Sequence, residues 1–102
     1  MKKLFISQPM KGRTKEEILA ARKEATEMAE VMVGGPFEVI DSFFEDAPAG
    51  AEPLWYLGKS LQLLSTADLV IFTPGWDEAR GCKIEHTCAV EYDLDYIAMS
   101  IE

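Results

Sequence analysis

At 102 residues, 48% hydrophobic and 27% charged, the chain has apolar material for one globular core and too little length for a second, so residues 1–102 are expected to form a single domain. A net charge of −8 argues against a nucleic-acid polymer as partner, because binding one needs a broad basic surface; a small anion held by a local cluster of donors stays open. Cys82 and Cys88 lie six apart in one predicted helix, on different turns, and with the single histidine, His86, they make neither a ready disulfide nor a zinc set. No metal or cofactor is expected.

The opening "MKKLFISQPM" interrupts its apolar run at Pro9 and Lys11, too early for a signal peptide, and no run reaches the roughly 18 apolar residues that a membrane span needs. A cytoplasmic protein without membrane contact is the expectation. Within that opening, "KLFIS" (Lys3 to Ser7) has the character of a buried strand. From Thr14 to Met32, apolar residues at Ile18, Ala21, Ala25, Met28, Ala29 and Met32 keep helical spacing, and Thr14 with Glu17 forms a capping box at the start. Gly34-Gly35-Pro36 stops that helix, and "FEVID" (Phe37 to Asp41) reads as the next strand.

An acidic loop, "FFEDAPAGAE", leads to Pro53, a good first helical residue, and to the apolar helix "LWYLGKSLQLLS". Its Gly58-Lys59-Ser60 imitates the end of a phosphate-binding P-loop. That motif needs a glycine where Pro53 stands and a preceding strand, so it is rejected. "LVIFT" (Leu69 to Thr73) is a buried strand, the segment "GWDEARGCKIEHTCAVEYDL" (Gly75 to Leu94) supplies a third helix, and "YIAMSI" (Tyr96 to Ile101) closes the series.

This β-α-β-α-β-α-β alternation predicts an α/β, three-layer, flavodoxin- or Rossmann-like fold with a four-stranded, mainly parallel sheet in the order 2-1-3-4. The crevice between the carboxyl ends of strands one and three is where such folds bind ligands, and two loops converge there. In the first, Lys11 and Arg13 flank the flexible Gly12 just ahead of a helix N-terminus: either two solvated charges or an anion site. In the second, Gly75 and Gly81 let the backbone turn sharply, and Trp76 can offer a flat face to a ring or plug the mouth of the core. Glu85 falls about one turn into the third helix, where the dipole favours its ionised form. It is either a solvated helical glutamate or a carboxylate suited to attack an anomeric carbon.

The pattern Gly75-Trp76, then Ala79-Arg80-Gly81-Cys82, Glu85 and Ala89, preceded by "TADLVIF" and by "FISQPM", resembles the nucleoside 2-deoxyribosyltransferase-like superfamily and, within it, the small DUF4406 family. The resemblance implies a nucleoside or nucleotide ligand and Glu85 as a nucleophile that forms a glycosyl-enzyme intermediate. Ser7, Gln8 and Pro9 then fall where the superfamily's first loop holds the sugar or its phosphate, with Lys11, Gly12, Arg13, Gly75, Trp76, Arg80 and Gly81 as further candidate ligand-binding residues. Characterised transferases carry an aspartate in helix two at the position of Ser60, leaving Asp77, Glu78 or His86 to protonate the departing base. The reading is therefore either N-glycosidic bond cleavage or transfer on a nucleoside or its monophosphate, or a non-catalytic nucleotide-binding module of the same fold. Leu54, Trp55, Tyr56, Leu57, Leu61, Leu63 and Leu64 cover more than one face of helix two. That predicts a homodimer or higher homo-oligomer, unless Trp55 and Tyr56 are covered by the acidic loop.

Overall fold

The computed structural model describes residues 1–44 and 47–99. Four parallel strands, β1 (Lys2–Ser7), β2 (Phe37–Val39), β3 (Leu69–Phe72) and β4 (Tyr96–Ala98), form one sheet in the order β2-β1-β3-β4. Three helices, α1 (Lys15–Ala29), α2 (Pro53–Leu64) and α3 (Arg80–Glu91), supply the crossovers. The strand order and the helical layers are those of the predicted Rossmann-like fold, and β1 pairs directly with β3 from Leu4↔Leu69 to Ser7↔Phe72.

The central strands are buried on both faces, which is why they read as continuous apolar runs rather than alternating ones. Leu4, Ile6, Leu69 and Ile71 face α1 and meet Ala25 and Ala29. Phe5, Val70 and Phe72 face the opposite layer and pack with Leu64 of α2 and Ala89 of α3. The small alanines on α1 let that helix approach the sheet closely.

Several predicted boundaries shift. α1 stops at Ala29 and passes into a π-turn, Glu30–Gly34, which ends on Gly34 at φ +95°. The wider turn takes the following residues out of α-helical phase, so Met32, expected on the core stripe, is exposed together with Val31 and Val33. β2 covers only Phe37–Val39, although Ile40 still bonds to the Leu4 carbonyl at 2.9 Å. The last strand covers Tyr96–Ala98, and positions 100–102, which include the end of its predicted span, lie outside the described residues.

Over α2, Trp55 meets Phe44 of the acidic loop edge to face, ring centroids 6.0 Å apart, and is half-buried. That loop therefore covers one of the aromatic residues expected to face a second copy, while Leu54 stays 77% exposed. Among the described residues no helix is long and apolar enough to cross a membrane.

Candidate functional site

Ser7 is the last residue of β1 and Glu85 stands in the second turn of α3, on the face that packs against the sheet. The Ser7 hydroxyl donates to Glu85 Oε1 at 2.7 Å. Both groups are buried, Glu85 with only 6% of its surface exposed. No side chain caps α3, so the positive end of its dipole acts on Glu85 without a competing cap. Burial outweighs the serine bond: loss of solvation pushes the Glu85 carboxyl up to about 7, and the Ser7 bond only partly opposes this. The fully ionised carboxylate expected from helix position alone is thus replaced by a group poised between its two states at neutral pH.

Cys82, one turn before Glu85, shares this environment. Burial pushes its thiol up to about 11, with the Glu85 charge adding to the rise and Ser7 and Arg13 opposing it. The thiol stays protonated and is no nucleophile at neutral pH.

The first loop closes in a tight turn in which the Arg13 amide bonds to the Met10 carbonyl at 3.1 Å and Gly12 takes φ +78°. Arg13 reaches across to the second loop: its Nη2 lies 3.6 Å from where a Cβ on Gly75 would stand, and Pro9 Cγ lies 3.7 Å from the same point. Gly75, at φ +90°, needs its left-handed conformation to turn the chain into the 3₁₀ turn Trp76–Glu78. Gly81 does not behave this way. It lies inside α3 with nothing within 4 Å of a notional side chain, so neither a sharp turn nor close packing requires a glycine there.

Other candidates fall into other roles. Gln8 is committed inside the fold: its amide nitrogen donates to the Ile18 carbonyl at 3.1 Å, and its oxygen accepts from Arg22 at 3.0 Å. Lys11 and Arg80 are exposed, at the tip of the first turn and at the start of α3. Trp76 stacks on His86, with centroids 4.4 Å apart and planes at 20°, and packs on Phe72, so it plugs the mouth of the second core with at least one of its faces. His86 is also edge-on to Tyr96 at 5.0 Å. Asp77 and Glu78 are exposed, and Ser60 is half-buried on α2.

Arg22 escaped the sequence reading. It donates to Gln8, to the Ser42 hydroxyl at 3.2 Å and to the Ile40 carbonyl at 2.9 Å, joining the ends of β1 and β2. Burial lowers its guanidinium from the usual value, opposed by Asp41. The signal was present: Arg22 sits on the stripe Ile18, Ala25 and Ala29, four residues after the first, where a cation on a buried face must find acceptors. Thr73, the last residue of the predicted strand, falls just past β3 and carries a buried hydroxyl without a partner. No group of three or more metal-ligating side chains is present among the described residues.

The family model described as "Domain of unknown function (DUF4406)" matches residues 2–97, which takes in β1 to β3, both loops and the start of β4. The chain belongs to the DUF4406 family. Comparison with curated proteins and with solved structures gives no match. The matched span places Ser7, Arg13, Thr73, Gly75 and Glu85 all inside the DUF4406 domain.

Proposed function

We propose that this DUF4406 domain cleaves or transfers the N-glycosidic bond of a nucleoside or nucleoside monophosphate, with Glu85 as the nucleophile. The observation that carries the reading is the buried carboxyl of Glu85 at the carboxyl ends of β1 and β3, held by Ser7 at 2.7 Å. Burying a carboxyl that titrates near neutrality costs the fold stability, and such costs concentrate at functional sites. The resemblance of the two loops to the nucleoside 2-deoxyribosyltransferase-like superfamily supplies the substrate class.

In this reading the ionised carboxylate adds an Oε to the anomeric carbon while the C–N bond breaks, and the bonding pair leaves with the base, which takes up a proton. Water or a second base then displaces the sugar and restores the carboxylate. The Ser7 hydroxyl orients Glu85 and favours its charged form. The net charge of −8 speaks against a nucleic-acid polymer as partner, and the lack of an apolar run of spanning length speaks against a membrane. A second reading, a non-catalytic nucleotide-binding module, is favoured by Ser60, which supplies no acid where the resembled transferases hold an aspartate.

Incubation of the pure protein with a panel of nucleosides and their monophosphates tests both. Release of free base is expected, and Glu85→Gln, which keeps side-chain size, should bind ligand as before while turnover falls by orders of magnitude. Turnover that survives Glu85→Gln refutes the nucleophile, and binding without any turnover selects the module.

A further inference from the structure

Among the described residues, the hydroxyl of Thr73 is the buried side-chain oxygen left without a hydrogen-bond partner, and Thr73 is only 2% exposed. Buried polar groups are nearly always paired, so an orphan needs a reason. Its direction follows from the strand. Val70 and Phe72 point to the α2–α3 layer, Leu69 and Ile71 to α1. The Thr73 amide still bonds to the Ser7 carbonyl at 3.0 Å, so the alternation continues and the Thr73 side chain falls on the α1 side, in register beside Gln8. Gln8 makes no bond to it; its amide is engaged with the Ile18 carbonyl and with Arg22.

Arg13 stands immediately before the α1 cap, and its guanidinium reaches the Gly75 turn two residues beyond Thr73. No hydrogen bond or ion pair joins it to a described residue. The neighbouring α1 N-terminus, by contrast, is already occupied: Thr14 accepts from the Glu17 amide, and the Glu17 carboxylate accepts from the Thr14 amide. A carboxylate there opposes a second anion, so the anion site expected at the helix end is better placed at the Gly75 turn.

We propose that the Thr73 hydroxyl and the Arg13 guanidinium, on either side of the Pro74–Gly75 turn, form the subsite for the phosphate of a nucleoside monophosphate. This rests on the nucleotide reading above. Both groups are donors, and the guanidinium accepts nothing, which suits an oxyanion. A base edge alternates donors with acceptors, and a sugar hydroxyl has no use for a cation. Because Thr73 is covered, entry of the phosphate requires the turn and the Arg13 side chain to separate, and Trp76 directly follows that turn.

The test is calorimetry on the full chain with the four deoxynucleoside monophosphates and the four matching nucleosides. Thr73→Val keeps size and shape but removes the hydroxyl. It should weaken monophosphate binding about tenfold, leave nucleoside affinity unchanged, and not lower the melting temperature, because no bond within the fold is lost. Thr73→Ser should bind the monophosphate like wild type. In a Trp55→Phe background, monophosphate but not nucleoside should change Trp76 fluorescence. Wild-type monophosphate affinity in Thr73→Val overturns the subsite. Equal losses for both ligands, or a lower melting temperature that marks the hydroxyl as a partner of a buried water, overturn it too. If wild type binds no member of the panel, the nucleotide reading falls and the subsite with it, whereas wild-type binding untouched by Thr73→Val removes the subsite alone.

Discussion

Glu85 is pulled in opposite directions by its burial, which raises the carboxyl, and by the Ser7 bond, which lowers it, and burial prevails. A carboxyl that holds its proton to about pH 7 when folded, against 4.5 otherwise, binds more protons in the native state between those values. Its contribution to stability is therefore complete below about pH 4.5 and is lost as pH rises to about 7. The loss is at most roughly 3 kcal/mol. Glu85→Gln removes that titration, so urea denaturation should find the variant similar to wild type near pH 4 and more stable at pH 8. In the catalytic reading, kcat/KM should rise with pH through about 7 as the nucleophile ionises. Ser7→Ala takes away the bond that lowers the Glu85 value, so the midpoint of that rise should move upward, which a pH–rate profile measures. A midpoint that Ser7→Ala leaves in place would sever the link between the two residues.

At the level of elements, α1 shows how far short motifs reach. Thr14 and Glu17 predict a capping box, and both of its bonds are present, at 3.1 and 3.0 Å. The same bonds hold the Glu17 carboxyl below its usual value, since they favour the charged form. Thr14→Ala should cost about 1 kcal/mol, lowering the melting temperature by about 4 to 8 °C. Calorimetry checks this, and an unchanged transition would mean that tertiary packing alone fixes the start of α1. The other end of α1 was less legible. Gly34 and Gly35 announce a stop, but no residue between Glu30 and Gly34 distinguishes a π-turn from an α-turn. The consequence is a side-chain face that turns outward.

At the scale of the whole molecule, that outward face and the exposed end of α2 are apolar regions left uncovered among the described residues. Glu24, Glu27, Met28, Val31, Met32 and Met99 line a shallow hollow of about 470 Å³, and Val31 is 85% exposed. On α2, Leu54 and Tyr56 remain at the surface, while Trp55 is partly covered by Phe44. A chain of this size gains stability by covering such surface with a copy of itself, so a concentration-dependent homodimer is expected in sedimentation equilibrium. Leu54→Lys should shift it toward monomer if α2 forms the contact. A wild-type monomer at high micromolar concentration would show that neither region is enough.

The alternation of strands and helices, the order of the sheet and the capping of α1 could be derived residue by residue, because each depends on periodicity and on neighbours within one or two turns. The convergence of "SQPMKGR" with "PGWDEARGCKIE" followed from topology, since parallel pairing of β1 with β3 brings their carboxyl ends together. What each side chain does there was decided by contacts between residues far apart in the chain. Ser7 and Glu85 are 78 positions apart, and only packing of α3 on the sheet removes the water that would have kept Glu85 an ordinary acid. Gln8 is turned inward by Arg22, Trp76 is held by His86, and Thr73 is sealed without a partner. Desolvation and partner choice are properties of the assembled core, and no local pattern of residue types encodes them.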